Sequence, residues 1–334
     1  MFFEGEISMK LATKAGGTAP SVPQPNIPLT ASQRRWAKFQ RQIPFYVMMI
    51  IPVTFFLLFR YWSMFGVAIS FQNYKLGAPF ISAEAKWVGL KWFKMLTGSP
   101  FFGRWVKNTL LISFYNLIFT WPLSIALALI LNEVRNSKLR KLTNNIALLP
   151  HFISTVVIVG VLFNFFSVDD GIINQIIHHF GGEKIDFMGS SNTWRAMYVG
   201  SGAWQGVGFS SVVYTAAIAG IDPTLYEAAA LDGSTRVKNV FKITIPCILP
   251  TIITMFILRI GNIMSVGYEK IILMYNPKIY DVADTLSTYS YRAGIIEGKF
   301  SLSAAVSFFN NVCDLILILS ANAISRKLSE TSLW

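Results

Sequence analysis

The sequence predicts an all-α membrane protein, with about six transmembrane helices and a short structured helix in the loop between the fourth and fifth. Three observations carry that class. Of the 334 residues, 53% are apolar and only 14% are charged, and apolar runs near 20 residues recur along the chain. A soluble domain carries about 25% charged residues, and ~20 apolar residues cross the ~30 Å core of a bilayer as a helix. The mean hydropathy of +0.48 agrees. None of the runs shows the strict alternation of a barrel strand, and helices satisfy their own backbone groups in lipid.

Taken in order, the elements divide at residue 42. Residues 1–42 read as a disordered, basic tail: Gly16 to Pro28 is rich in Gly, Pro, Thr and Ser, and the basic run Arg34–Arg41 follows. This region is too polar for the apolar core of a signal peptide, so no cleavage is expected. Residues 43–334 form the transmembrane domain. Its six runs are Ile43–Phe59, Thr109–Leu131, Ile146–Phe166, Met197–Ala219, Ile243–Met264 and Ala304–Ala323. Pro52, Pro122, Pro150 and Pro250 are expected to kink these helices or mark their ends. Cys247 and Cys313 fall inside runs and read as buried free thiols, and no residue cluster has metal-ligand spacing.

The net charge of +12 suits orientation and lipid headgroups rather than nucleic acid, because hardly any soluble face exists to carry it. With the N-terminus inside, Lys and Arg number fifteen inside against thirteen outside. The long loop Arg60–Asn108 supplies most of the dissent, and long loops weigh less. Arg135, Lys138, Arg140 and Lys141 then lie inside, and the acidic loop with Asp169, Asp170, Glu183 and Asp186 outside. Both termini are therefore expected in the cytoplasm. Trp87 to Lys107 mixes aromatic and basic residues, as interfacial helices do.

The loop at residues 222–246 is not a plain connection. Asp222 is an N-cap and Pro223 a first helical residue, which predicts a helix through Ala230. Gly233 supplies a turn, and Ser234 to Lys242 can form a second short helix ending near Pro246. Glu227-Ala228-Ala229, then Gly233, then Ile243-Thr244-Ile245-Pro246 resembles the loop signature of the membrane subunits of ATP-binding-cassette importers, with Ile245 replacing the usual Leu. Leu131–Arg135, Leu149–Ser154, Asp170–Gln175, Tyr275–Asp284 and Ile324–Leu328 with Trp334 are similar to the polygalacturonate and lipo-oligosaccharide branch, including alginate importer permeases.

That resemblance implies a bacterial inner-membrane complex. A second membrane subunit would share the pathway, two ATPase subunits would bind ATP and Mg, and an extracytoplasmic solute-binding protein would deliver an oligosaccharide. The chain has no Gly-rich phosphate loop of its own, so no cofactor and no catalytic residue are expected in it. Leu225, Tyr226, Glu227, Ala228, Ala229 and Gly233 are the expected coupling residues: small side chains seat closely, Glu227 offers a charge-assisted bond, and Leu225 and Tyr226 add apolar area.

For the substrate pathway the candidates are Trp204 and Gln205, then Arg259, Asn262, Tyr268 and Glu269, then His151. Gly202 and Gly206 read as a close-packing pair. Arg259 and Asp314, the charges well inside runs, are expected to pair, or Arg259 to face the pathway. Tyr268 to Ser301 and Asp169–Asp186 are placed to meet a binding protein, or else are solvated loops. A self-contained secondary transporter or channel is the competing reading, but no repeat with paired broken helices stands out. A membrane-embedded enzyme would need clustered carboxylates or histidines, and Asp169-Asp170 has no companion.

Overall fold

Apolar length decides most of the computed structural model. It describes residues 31–79 and 86–329, which are helical almost throughout; among them the only extended pairing is one antiparallel bridge, Gln72 to Trp87. Residues 1–62 and 63–334 separate into two units. In the first, helix α1 (Ala31–Phe56) runs through Pro44 and Pro52 and continues as a π turn, Leu57–Tyr61. The basic run Arg34–Arg41 lies in α1, which corrects the expected tail boundary at residue 42. Residues 31–42 contain no Gly or Pro and are rich in Ala, Gln, Arg and Lys, all adequate helix formers. The stretch 16–28 and Trp334 lie outside the described residues.

In the second unit a 3₁₀ turn, Phe65–Phe71, precedes α2 (Lys91–Thr97), α3 (Phe102–Glu133), α4 (Ser137–Leu148) and α5 (Thr155–Phe166). Then come α6 (Ile172–His179), α7 (Ser191–Ala219), α8 (Pro223–Leu231), α9 (Arg236–Asn239) and α10 (Ile245–Ile260). The chain closes with α11 (Tyr268–Met274), α12 (Tyr280–Ala283), α13 (Leu286–Tyr291) and α14 (Phe300–Ser329).

Four described stretches are long and apolar enough to cross a membrane: Gln42–Phe71, Phe102–Glu133, Arg236–Ile260 and Phe300–Lys327. A fifth arises if α4 and α5 count as one span bent by 98°. The run Ile146–Phe166 is therefore not one straight helix. Pro150 withholds an N–H, and Ser154 restarts the helix by accepting from Val157 N at 3.4 Å. Met197–Ala219 lies within α7, whose Gly, Ser and Gln content keeps it below the same measure of apolarity. Pro122 and Pro250, in contrast, lie inside continuous helices and end neither.

The central pair is α3 against α7. The buried stripe of α3 is Trp105, Asn108, Thr109, Ile112, Thr120, Ser124, Ala128 and Leu131, its steps of three, four and eight with one adjacent pair keeping to one helix face. Much of it is small or hydroxylated, which permits close approach in lipid, and Thr109 and Ser124 donate to their own i−4 carbonyls. The tight contact of α7 is Gly208, where a Cβ would overlap the Ala147 carbonyl; at Gly206 it would meet nothing within 4 Å. Gly202 makes only ordinary contacts, so the expected Gly202–Gly206 packing pair is replaced by Gly208.

Three apolar cores follow. One joins α3, α7, α11 and α12 around Trp194 and Ile271, one joins α2, α13 and α14 around Leu96 and Leu286, and one joins α7 and α10 around Tyr214 and Ile248. Trp105 is 3% exposed and stacks on Tyr289 at 3.8 Å, so it is a core residue rather than an interfacial anchor. Both cysteines are free, but Cys247 is exposed and Cys313 half-buried, contrary to the expectation of buried thiols. Cys247 precedes the buried Ile248 and so faces the other side of α10.

Candidate functional site

The loop between α7 and α10 folds as a rigid knob. Asp222 Oδ1 accepts from Thr224 N at 2.9 Å and Pro223 occupies the first turn, so α8 starts where its orphan N–H groups are capped. The hydrogen bonds from Thr224 hold the Asp222 carboxyl below the usual carboxylate range. At the other end Gly233 adopts φ +69°, which lets Ser234 N bond back to Ala229 O at 2.9 Å. The second helix starts at the Thr235 cap and does not stop near Pro246. It passes through α9 and a π turn, Val240–Thr244, into α10. Ile245 N bonds Val240 O, five residues back, and this wider turn makes room for the proline ring that follows.

The knob presents Leu225 at 45% exposure, Leu231 at 91%, Val237 at 68% and Phe241 at 67%. Glu227 and Ala228 are exposed, Ala229 is half-buried, and Glu227 forms no salt bridge among the described residues. Tyr226 instead turns inward, its hydroxyl 2.9 Å from Oγ1 of the buried Thr244. That bond ties α8 to the root of α10. Arg236 meets Glu133 of α3 at 3.8 Å.

The pathway candidates do not form one site. Trp204, 55% exposed, lines a groove of about 1060 Å³ between α3, α4 and α7, with Arg195 at its rim. Gln205 is used structurally, donating to Ile153 O at 3.1 Å across the break between α4 and α5. His151 stacks on Phe209 at 4.0 Å beside that break. Arg259 and Asn262 do come together, lining a smaller cavity of about 330 Å³ with Ser113, Asn116, Tyr198 and Ser265. Tyr268 stacks on Tyr291 at 5.0 Å, and Glu269 is exposed. Arg259 does not pair with Asp314. It donates to Ser210 Oγ at 3.1 Å, while Asp314 accepts from Met264 N at 2.8 Å and Ser265 Oγ at 2.7 Å. In the turn after α10 the N–H groups of Gly261, Asn262, Ile263 and Ser265 bond to backbone carbonyls, and Asp314 takes that of Met264.

One cluster escaped sequence reasoning. Asp284, 2% exposed, accepts from Trp105 Nε1 at 2.7 Å, Thr288 Oγ1 at 2.8 Å, and both Arg292 terminal nitrogens at 2.7 and 2.9 Å. Asn108 donates to the Asp284 carbonyl at 2.9 Å. Burial works against the Arg292 charge, but the Asp284 bonds and charge outweigh it and the guanidinium pKa rises. The clamp fastens α12 and α13 to α3, so Tyr268–Ser301 is largely folded, with Ile271, Ile279, Ala283, Leu286 and Ala293 fully buried. Its only sequence signal was an Asp and an Arg eight residues apart with no other charge between them. Similarly, Asn174 pins the acidic loop by donating to Ser167 O and Ile185 O, each at 2.9 Å.

Long apolar helices joined by a capped, exposed knob define an integral membrane protein. The comparisons with known proteins make this specific. The family described as "Binding-protein-dependent transport system inner membrane component" matches residues 122–329, and the chain belongs to it. Among curated relatives, the polygalacturonan/rhamnogalacturonan transport system permease protein YteP of Bacillus subtilis is 38% identical, covering 96% of this chain and 99% of the relative. Protein LplB of the same organism is 37% identical, covering 89% and 93%. Among solved structures, a bacterial ABC transporter that imports the acidic polysaccharide alginate matches with TM-score 0.79 and 38% identity, covering 89% of this chain and 99% of that one. The same type of transporter, in complex with an alginate pentasaccharide-bound periplasmic protein, matches with TM-score 0.80 and 37% identity, covering 90% and 100%. The matches go to the importer reading and not to a self-contained transporter.

Proposed function

We propose that this chain, with a second membrane subunit, forms the pathway of an importer that takes up acidic oligosaccharides. A periplasmic binding protein delivers the ligand, and two partner ATPases, which bind ATP and Mg, drive the cycle through the knob. The observation that carries the substrate class is full-length similarity to permeases whose printed substrates are polygalacturonan/rhamnogalacturonan and alginate. Both termini and the knob lie in the cytoplasm in this reading, with α12 and α13 on the opposite face. Leu225, Glu227, Ala228 and Ala229 seat in an ATPase groove, Gly233 sets the turn, and Tyr226 passes motion inward to Thr244. Closure of the ATPases then moves α10 as a rigid body, which switches access.

The test is ATP hydrolysis by the reconstituted complex, stimulated by binding protein loaded with neutral or uronate oligosaccharides. Uronates are expected to stimulate and neutral analogues not. Glu227→Ala should keep the chain folded in detergent and abolish stimulation. Stimulation that survives deletion of Leu225–Gly233 would sink the coupling role.

A further inference from the structure

We propose that Arg259 and Lys270 read a carboxylate of the transported oligosaccharide at the cavity between α3, α7 and α10. This inference rests on the acidic-substrate reading and assigns its selectivity to two side chains of this subunit.

Two cations of the membrane domain are left by the fold without a partner anion among the described residues. Arg259 and Lys270 are both half-buried, and neither joins any salt bridge among the described residues. Among the described residues Arg259 hydrogen-bonds the neutral Ser210 Oγ at 3.1 Å and lies near the neutral Tyr214 hydroxyl. Lys270 Nζ has the Tyr198 carbonyl at 3.2 Å and the Tyr198 ring at 5.0 Å. The two buried carboxylates among the described residues are already spoken for: Asp314 by Met264 N and Ser265 Oγ, Asp284 by Trp105, Thr288 and Arg292. A cation kept away from water without an anion is costly, and such a residue in a membrane domain faces a polar cavity by default.

A cavity is there. Arg259 lines it together with Ser113, Asn116, Asn262 and Ser265, groups that suit hydroxyls. Lys270 reaches its edge: a point one Cβ out from Gly202 lies 3.6 Å from both Lys270 Nζ and the Asn116 amide oxygen. Tyr198, which lines the cavity, carries the Lys270 ammonium over its ring. The volume of about 330 Å³ is at the low end for a ligand pocket, roughly 300–1,000 Å³, enough for part of a chain that slides through. Arg259 supplies the planar fork that matches a carboxylate, and Lys270 a compact second charge. The neutral hydroxyl on Arg259 is a weak partner that an incoming carboxylate can displace.

The experiment uses the whole reconstituted complex with saturating binding protein and trigalacturonate, and measures sugar imported per ATP hydrolysed. The binding protein fixes delivery, so this ratio reports what happens inside the membrane. Arg259→Gln and Lys270→Gln are expected to keep stimulated hydrolysis and lower the ratio about ten-fold, the loss of one charge-assisted bond. Arg259→Lys, which keeps the charge but not the fork, should fall between wild type and Arg259→Gln. A merely structural role would lower hydrolysis and import in parallel, and that result, or an unchanged ratio in both Gln variants, overturns the assignment. If the wild-type complex imports trigalacturonate while the variants are unaffected, only the assignment fails. If wild type imports neutral trisaccharides alone, the acidic reading fails and the assignment with it.

Discussion

Replacing Asp284 with Asn should release the segment from α12 to the π turn at residues 292–296 without unfolding the helices around it. The carboxylate receives four short hydrogen bonds, two of them from Arg292. Asparagine keeps the shape but removes the charge, which leaves Arg292 half-buried beside a neutral amide. Removing one member of a buried ion pair costs about 3–5 kcal/mol. The Arg292 side chain keeps 23% of its exposure, so the lower end applies, near 3 kcal/mol. At about 1.4 kcal/mol per factor of ten, amide protection across residues 280–296 should fall about 100-fold. Hydrogen exchange of the detergent-solubilised protein reads this directly, with α3 and α7 as internal references. The double variant Asp284→Leu with Arg292→Met should recover most of the protection, because an apolar pair replaces a buried ion pair at little cost. A cycle with Asp284→Asn and Arg292→Gln whose effects add within about 0.5 kcal/mol would refute the clamp.

Three further outcomes follow from the geometry. Tyr226→Phe removes the bond to Thr244, which should loosen α8 by ~1 kcal/mol in hydrogen exchange and weaken ATPase stimulation while leaving assembly intact. Gly208→Val should lower thermal stability by roughly 1–3 kcal/mol through overlap with Ala147, and Gly206→Ala should not. The Asp222 carboxyl has a lowered folded pKa, so its cap is present above its ordinary value of 3.8 and is lost as pH falls through the lower folded value. Protection of α8 should therefore drop below about pH 4 in wild type, whereas Asp222→Asn, a cap with no charge to titrate, should show no such step.

What the sequence made legible is what lipid and short-range geometry dictate. The apolar runs stood out because a bilayer leaves a helix no other composition, and the knob because Asp222, Pro223 and Gly233 act within a few residues of themselves. What stayed hidden depends on neighbours distant in the chain. Asp284 meets Trp105 across 179 positions, and nothing local distinguishes a buried carboxylate from a solvated one. Gly206 and Gly208 look alike until α4 is placed against one of them. The break at Ser154 was half-visible in Pro150, yet it persists because Gln205, on another helix, satisfies the Ile153 carbonyl. Pro246 misled for a local reason, since a π turn absorbs the proline that would end an ordinary helix.

That π turn has a mechanical consequence. Because the helix does not end at Pro246, the stretch Arg236–Ile260 is continuous, and it is tied near one end to the knob through Thr244 and carries Arg259 near the other. At about 1.5 Å per residue, the fifteen positions from Thr244 to Arg259 span roughly 22 Å. A loop joint at Pro246 would let the knob move while Arg259 stayed still, whereas a continuous helix, even one carrying a π turn, Pro246 and Pro250, keeps its two ends joined by backbone bonds that lipid will not replace. In the proposed coupling, displacement of Tyr226 by a docked ATPase would be delivered along α10 to the cavity of Ser113, Asn116 and Asn262. The turn between Gly261 and Ser265 marks where that delivery stops, since Asp314 of α14 holds Met264 and Ser265 in place. In that proposal Arg259 sits on the moving side of this boundary and Ser265 on the fixed side, so the cavity would change shape as the helix moves.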